Sequence, residues 1–343
     1  MNFATILVKK WTEKTPPKKI LVIRLQAFGD VIISLPYVQS LRNQFPGDVQ
    51  FDFLTREEVA NIPQKLSIFN NVFVLKGKRN VKKQLLWYFT FLPKLFFTRY
   101  DVLVDLQNNK LSQIVRKSLQ PIAWCEFDKE SKIYAGERNK RSIDALGLGE
   151  VKYDFPLQIK KSELSDLSKF NLPRNADFII INPAGFFETR NWNIENYFLF
   201  CELWMKQERR TTYFIVLGDT RVEKKANYLQ EKLQVRFLNF VNKTSAIEAL
   251  QILQISKLVV SEDSGLFHMA CTTGVPLLGI YGSTRNDWTN PMLPHTFCFN
   301  SSDMPCGDCM LEKCLFDEIK CLTRITPQQV LEKALELIEK TKN

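Results

Sequence analysis

The chain alternates apolar runs with longer helical stretches, and it does so twice. KKILVIRL, VQFDFLT, NNVFVLKG and YDVLVDLQ follow one another in the first half; DFIIINPAG, TTYFIVLGD, SKLVVSEDSG and VPLLGIYG repeat the scheme in the second. Each run reads as a buried strand. Strands alternating with helices predict an α/β protein with two parallel sheets joined by right-handed crossovers. The join is placed in the polar stretch YDFPLQIKKSELSDLSKFNLPRNAD, which carries Pro156 and Pro173. The expected division is residues 1–157, a linker at 158–175, a second domain at 176–325 and a closing helix at 326–343. In that helix Thr326 serves as N-cap before Pro327, and the helix is expected to pack back on the N-terminal domain.

A chain of 343 residues is long enough for two such domains with well-buried cores. Its net charge of +10 suits an anionic partner: a nucleotide diphosphate, an acidic lipid surface or nucleic acid. Lysine and arginine are spread along the whole sequence with no basic tail, which ranks nucleic acid last. The N-terminal MNFATILVKKWTEK places its apolar patch before its lysines, the wrong order for a secretory signal. No apolar run approaches the ~20 residues that span a bilayer. The longest, Leu85 to Phe97, is interrupted by Pro93 and Lys94 and flanked by Lys82, Lys83 and Arg99. Its length favours a helix of the core; its flanks suit a helix lying on a membrane surface. Eight cysteines without an export signal fit reduced thiols in a cytoplasmic compartment.

Ligands of open parallel sheets sit outside the carboxyl ends of the strands, so chemistry is sought in the strand-to-helix turns. In RLQAFGDVIISLP, a strand ends at Leu25, Gln26 to Gly29 turn, and Asp30 stands where a helix N-cap belongs. Backbone amides and the helix dipole stabilise a carboxylate there, and at the mouth of a cleft it can accept a proton from a hydroxyl. The plain alternative is a cap and nothing more. A dinucleotide turn is disfavoured because the glycine-rich fingerprint is missing. Pro36 places the start of the regular helix near itself.

In SEDSGLFHMACTTGVPLLGIYG, Gly265 allows close backbone approach, Ser264 supplies a hydroxyl, and free amides at a helix start suit a pyrophosphate. His268 lies one turn further on the same face. Asp263 is compatible with an anion site if it caps the helix or holds a neighbouring loop. In NPAGFFETRNWNIENY, Arg190 stands two residues before Trp192 on a loop at a strand end, where a cation can neutralise a leaving phosphate. LGDTRVEKK supplies Asp219 and Glu223, either able to bind ribose hydroxyls.

Asp30 in its GDV turn, the NPAG…R-x-W loop and the DSGLFHMA…GVPLLGIYG block resemble, in this order and over nearly the whole chain, the ADP-heptose:lipopolysaccharide heptosyltransferases of glycosyltransferase family 9. The resemblance implies a GT-B fold, with two Rossmann-like domains whose parallel sheets face across a cleft. It also implies inverting, metal-independent transfer without a cofactor. Asp30 then matches the general base of an acceptor-binding N-terminal domain. Gly29, Arg190, Glu223, Asp263, Ser264, Gly265 and His268 form the expected donor-binding set. ADP-heptose is the implied donor and a lipid-linked, anionic lipopolysaccharide core glycan the acceptor, reached at the cytoplasmic face of the inner membrane by peripheral contact. Arg190 stands where lysine is usual, Asn193 where proline commonly follows the tryptophan, and Leu266-Phe267 where Pro-Met is more usual. Arginine keeps the charge but not the geometry. Other readings are a transferase of a different nucleotide-sugar, a nucleotide-sugar epimerase and a nucleotide-binding protein without catalysis.

CGDCMLEKCLFDEIKCL places cysteines at 306, 309, 314 and 321. Cys306, Cys309, Cys314 and Cys321 have the spacing of a closed structural zinc site, but reduced thiols are the preferred expectation.

Overall fold

A computed structural model describes residues 6–45, 47–78 and 80–341. The chain divides into two compact units, Met1–Leu164 and Ser165–Asn343. The division falls inside the polar stretch 158–175.

The first unit holds strands β1 (Val8–Lys9), β2 (Lys19–Ile23), β3 (Gln50–Arg56), β4 (Asn71–Leu75), β5 (Val102–Asp105) and β6 (Ala123–Glu126). They form one sheet in the order β1-β6-β5-β2-β3-β4, and only β1 runs antiparallel to its neighbour. The second unit holds β7 (Asp177–Asn182), β8 (Thr212–Gly218), β9 (Phe237–Val241), β10 (Leu258–Glu262), β11 (Leu277–Ile280) and β12 (Thr296–Phe299). Its order is β12-β11-β10-β7-β8-β9, every pair parallel.

Central strands such as KILVI and LVVSE are buried along almost their full length, because helices cover both sheet faces. Four strands were not expected from the sequence: β1, β6, β9 and β12. Three of these are sheet edges, where one neighbour is missing and less apolar surface needs cover.

The helix Phe28–Asn43 begins eight residues before Pro36, not near it, and carries that proline in its buried interior. Proline there forgoes the bond to the Ile32 carbonyl; burial of Val31, Leu35, Val38 and Leu41 on the sheet offsets the loss.

The helix Pro327–Lys340 is capped by Thr326, whose Oγ1 accepts the Gln329 amide at 3.2 Å while Gln329 returns to the Thr326 amide at 2.9 Å. Its buried face belongs to the core of the second unit. Val330, Leu331, Ala334, Leu337 and Ile338 join the core formed by the helix Ile194–Met205 and strands β7, β10 and β11. The reason is a stripe of apolar residues at helical spacing that matches Phe200 and Trp204 across the contact. Leu331→Ala should therefore destabilise the chain by about 2–5 kcal/mol, seen as a lower urea midpoint. An unchanged midpoint would place this helix outside the core.

Candidate active site

In the first unit Asp30 is the third residue of the helix Phe28–Asn43, and Ala27 is the N-cap. This corrects the expected capping position. Asp30 Oδ2 nevertheless serves the helix end, accepting the Ala27 amide at 3.0 Å. The same oxygen pairs with Arg24 Nη2 at 3.0 Å. Arg24 is buried at the end of β2, donates to the Leu106 carbonyl and lies 4.8 Å from the centre of the Phe127 ring. Burial lowers the Arg24 pKa, and Asp30 opposes that shift. Arg138 approaches the same ring at 5.1 Å.

The turn itself is fixed from below: Gln107 Oε1 accepts the amides of Leu25 at 2.8 Å and Gln26 at 3.1 Å. Asp30 retains 40% exposure of its side chain and lines a cavity of about 450 Å³ with Leu25, Gln26, Ala27, Arg56, Gln84 and Asn109. Gly29 is the second residue of the helix and lies in this first unit.

In the second unit the loops after β7, β10 and β11 converge. Ser264 caps the short helix Gly265–Cys271, accepting the Phe267 amide at 3.3 Å. Asn182, at the end of β7, donates from Nδ2 to Ser264 Oγ and to Ser261 Oγ, both at 2.7 Å. Asp263 does not cap the helix. It holds two neighbouring loops, receiving Arg190 Nη1 at 3.0 Å and the Thr284 hydroxyl at 2.9 Å. Nε2 of buried His268 lies 4.0 Å from the other Asp263 oxygen. Arg190 also packs over the Phe187 ring at 5.0 Å. The structure thus gathers Arg190, Asp263, Ser264, Gly265 and His268. Glu223 is exposed at the first turn of the helix Glu223–Leu233 and takes no part in these bonds, and Asp219 is engaged by Arg221.

The residues that sequence reasoning missed lie just beneath. Glu262, fully buried at the end of β10, accepts the Gly185 and Trp192 amides, each at 2.6 Å. Lys225 Nζ stands 3.8 Å from it and donates to the Pro183 carbonyl at 2.7 Å. Gly185 is required here, because a Cβ would stand 2.2 Å from the Arg190 carbonyl oxygen. Trp192 is buried and donates to the Ile325 carbonyl at 2.9 Å, which fixes the Arg190 loop to the start of the last helix. The only sequence signal for Glu262 was its position as the last residue of a buried strand.

The cysteine segment borders the same loops: the Met310 amide donates to the Ser283 carbonyl at 2.8 Å, and Thr189 and Ser283 hydroxyls meet at 2.9 Å. Cys306 and Cys309 are exposed and Cys314 and Cys321 half-buried. Among the described residues no group of three or more potential ligands is arranged to hold a metal ion.

The model of glycosyltransferase family 9 (heptosyltransferase) matches residues 94–320, about two-thirds of the chain. The chain belongs to this family. A curated relative, lipopolysaccharide heptosyltransferase 1 of Pseudomonas aeruginosa, is 23% identical, with 91% of this chain and 96% of the relative covered. Among solved structures, that of the Escherichia coli ADP-heptose lipopolysaccharide heptosyltransferase II is 19% identical, covers 95% of this chain and 100% of its own, and has a TM-score of 0.71. A family 9 glycosyltransferase from Veillonella parvula is 14% identical with 94% and 97% covered and a TM-score of 0.76. The fold of this family member is accordingly GT-B, each unit one Rossmann-like domain, and the protein is a glycosyltransferase.

Burial raises the Glu262 pKa to about 7, with Lys225 and the two amides opposing the shift. The folded value lies above the unfolded one, so the carboxyl's contribution to stability is full below about pH 4.5 and is lost as pH rises to about 7. Glu262→Gln has nothing to titrate there. Stability of the unsubstituted protein relative to this variant should fall by about 3 kcal/mol across that interval, measured by urea unfolding. A difference independent of pH would mean that the carboxyl does not titrate in this range.

Proposed function

We propose that this family 9 enzyme transfers heptose from ADP-heptose to a sugar hydroxyl of a lipopolysaccharide core, inverting the anomeric carbon and needing no metal ion. The observation that carries this reading is the situation of Asp30. Its carboxylate completes a helix end and is fixed by buried Arg24, yet it stays open to a sizeable cavity. A purely structural cap has no need of that opening.

In this reading the first unit takes the acceptor and Asp30 removes the proton of its hydroxyl. The oxygen forms a bond to the anomeric carbon as the bond to the pyrophosphate breaks on the opposite face, and ADP leaves. The second unit holds the donor, with pyrophosphate at Ser264, Gly265 and His268. Charge growing on the leaving phosphate is met by Arg190, whose remaining donors are free of Asp263, and by the helix-start amides. Asp263 then acts as a positioning residue for the guanidinium. The donor identity draws on the similarity to lipopolysaccharide heptosyltransferases of Pseudomonas aeruginosa and Escherichia coli and on the net charge of +10, which favours anionic ligands.

A general base contributes about 10²–10⁴-fold. Asp30→Asn should lower turnover by that order while ADP affinity, measured by calorimetry, stays within about twofold. Turnover within a few-fold of the unsubstituted enzyme would leave Asp30 a helix-end residue only. A sugar isomer released without acceptor would favour epimerisation.

Arg190→Ala should weaken ADP binding by about tenfold or more, the loss of a charge-assisted contact. Unchanged affinity would remove Arg190 from the donor site.

A further inference from the structure

The helix Val81–Thr98 in the first unit carries apolar residues on both of its faces. Tyr88 and Leu95 are buried against the sheet, with Leu85, Phe91 and Leu92 packed beside them. The opposite face is open to solvent: Leu86 is 69%, Phe89 58%, Phe96 56% and Phe97 77% exposed. With Pro93 these follow at intervals of three and four, so they form one continuous stripe along the helix. A soluble surface has no use for a stripe of three phenylalanines and a leucine.

The charge around the stripe has one sign. Lys82 and Lys83 stand at its start, Lys94 on its flank and Arg99 at its end, and no acid occurs from Lys76 to Tyr100. Lys76 Nζ lies 4.8 Å from the centre of the Trp87 ring, beside the stripe. The acids on either side of this segment are engaged by backbone amides: Glu57 accepts those of Gly77 and Lys78, and Asp101 those of Lys18 and Lys19. An apolar stripe bordered by cations is complementary to acyl chains beneath anionic headgroups. No helix among the described residues is long and apolar enough to cross a membrane, so such a surface would be met from one side.

We propose that this face of Val81–Thr98 docks on an anionic lipid surface. The docking stands on the helix alone. Its purpose rests on the acceptor reading of the first unit: Gln84, on the inner side of the same helix, lines the cavity that holds Asp30. A helix seated among headgroups would bring that cavity to the membrane and so to a sugar anchored in it.

Full-length protein is sedimented with phosphatidylcholine vesicles with and without phosphatidylglycerol. Binding should require phosphatidylglycerol and weaken with salt. Phe96→Ser combined with Phe97→Ser should reduce it by about tenfold or more. Lys82→Gln with Lys83→Gln, which disturbs no packing, should reduce it roughly fivefold per lysine. Leu315→Ser with Phe316→Ser, an equally exposed apolar pair in the second unit, should change nothing. All variants should keep the melting temperature of the parent, and turnover on a delipidated acceptor should be unaffected. The proposal falls if the Phe96 and Phe97 variant binds like the parent or if the Leu315 and Phe316 pair carries the binding. It falls equally if the chain sediments as a dimer that the Phe96 and Phe97 substitutions dissociate. Failure of the vesicle assay leaves the acceptor reading to be judged by Asp30→Asn alone.

Discussion

Two parallel strands cannot be joined by a hairpin; each must be left at its carboxyl end and re-entered at the other side of the sheet. With nearly every pair parallel in both units, the strand-to-helix turns collect at one edge of each sheet. Asp30 after β2, Arg190 after β7 and Asp263 after β10 owe their positions to that constraint. Buried strands fix where each turn begins, and longer loops such as that of Arg190 are held further by Glu262, Asp263 and the Trp192 bond to Ile325.

In the second unit the fixing is electrostatic. Two consecutive acids, the last residue of β10 and the one after it, divide the work by depth. Glu262 faces inward, where it gathers the Gly185 and Trp192 amides and the Lys225 ammonium. Asp263 faces outward, where it gathers Arg190 and Thr284. An acid next to the proposed anion site is unfavourable only if its charge is uncompensated, and here the guanidinium answers it at 3.0 Å. The price is a weaker field at the site, partly restored by the Ser264-capped helix start and by the positive charge of the chain as a whole.

Much of this was legible in the residues. Eight strand runs were apolar and bounded by turns, and all of them but β4 lie inside a sheet, where a strand is buried on both faces. Of the four missed strands, β1, β9 and β12 lie at sheet edges, where a strand needs fewer apolar residues and so leaves a weaker pattern. Asp30, Arg190 and the Ser264 turn stood out because acids, cations and glycines at strand ends are locally unusual. Asp30 was displaced by three positions because an acid at the third residue of a helix also serves the helix start, reaching back to the amide of the capping residue as Asp30 does with Ala27. Arg24 and Glu262 also stand at strand ends, but that position did not reveal their roles, and Lys225 lies within a helix. Each becomes meaningful only through a partner distant in sequence, as Glu262 does with Gly185, which lies 77 residues away. Long-range pairing leaves no periodicity to read.

The segment Leu85 to Phe97 shows where pattern reading divides. A buried helix and a surface-lying helix predict the same composition, and the sequence weighs them by length as exclusive choices. The folded helix has an apolar face turned inward and another turned to solvent. Tyr88 and Leu95 are sealed against the sheet, while Phe96 and Phe97 project from the other side. Three of seven heptad positions suffice to seat a helix on a core, so a chain that places aromatics on the remaining arc does so at a cost in solubility. Cations along that arc limit the cost in water by repelling like copies. In the docking proposed for this face, the same cations turn from repelling like copies to attracting anionic headgroups.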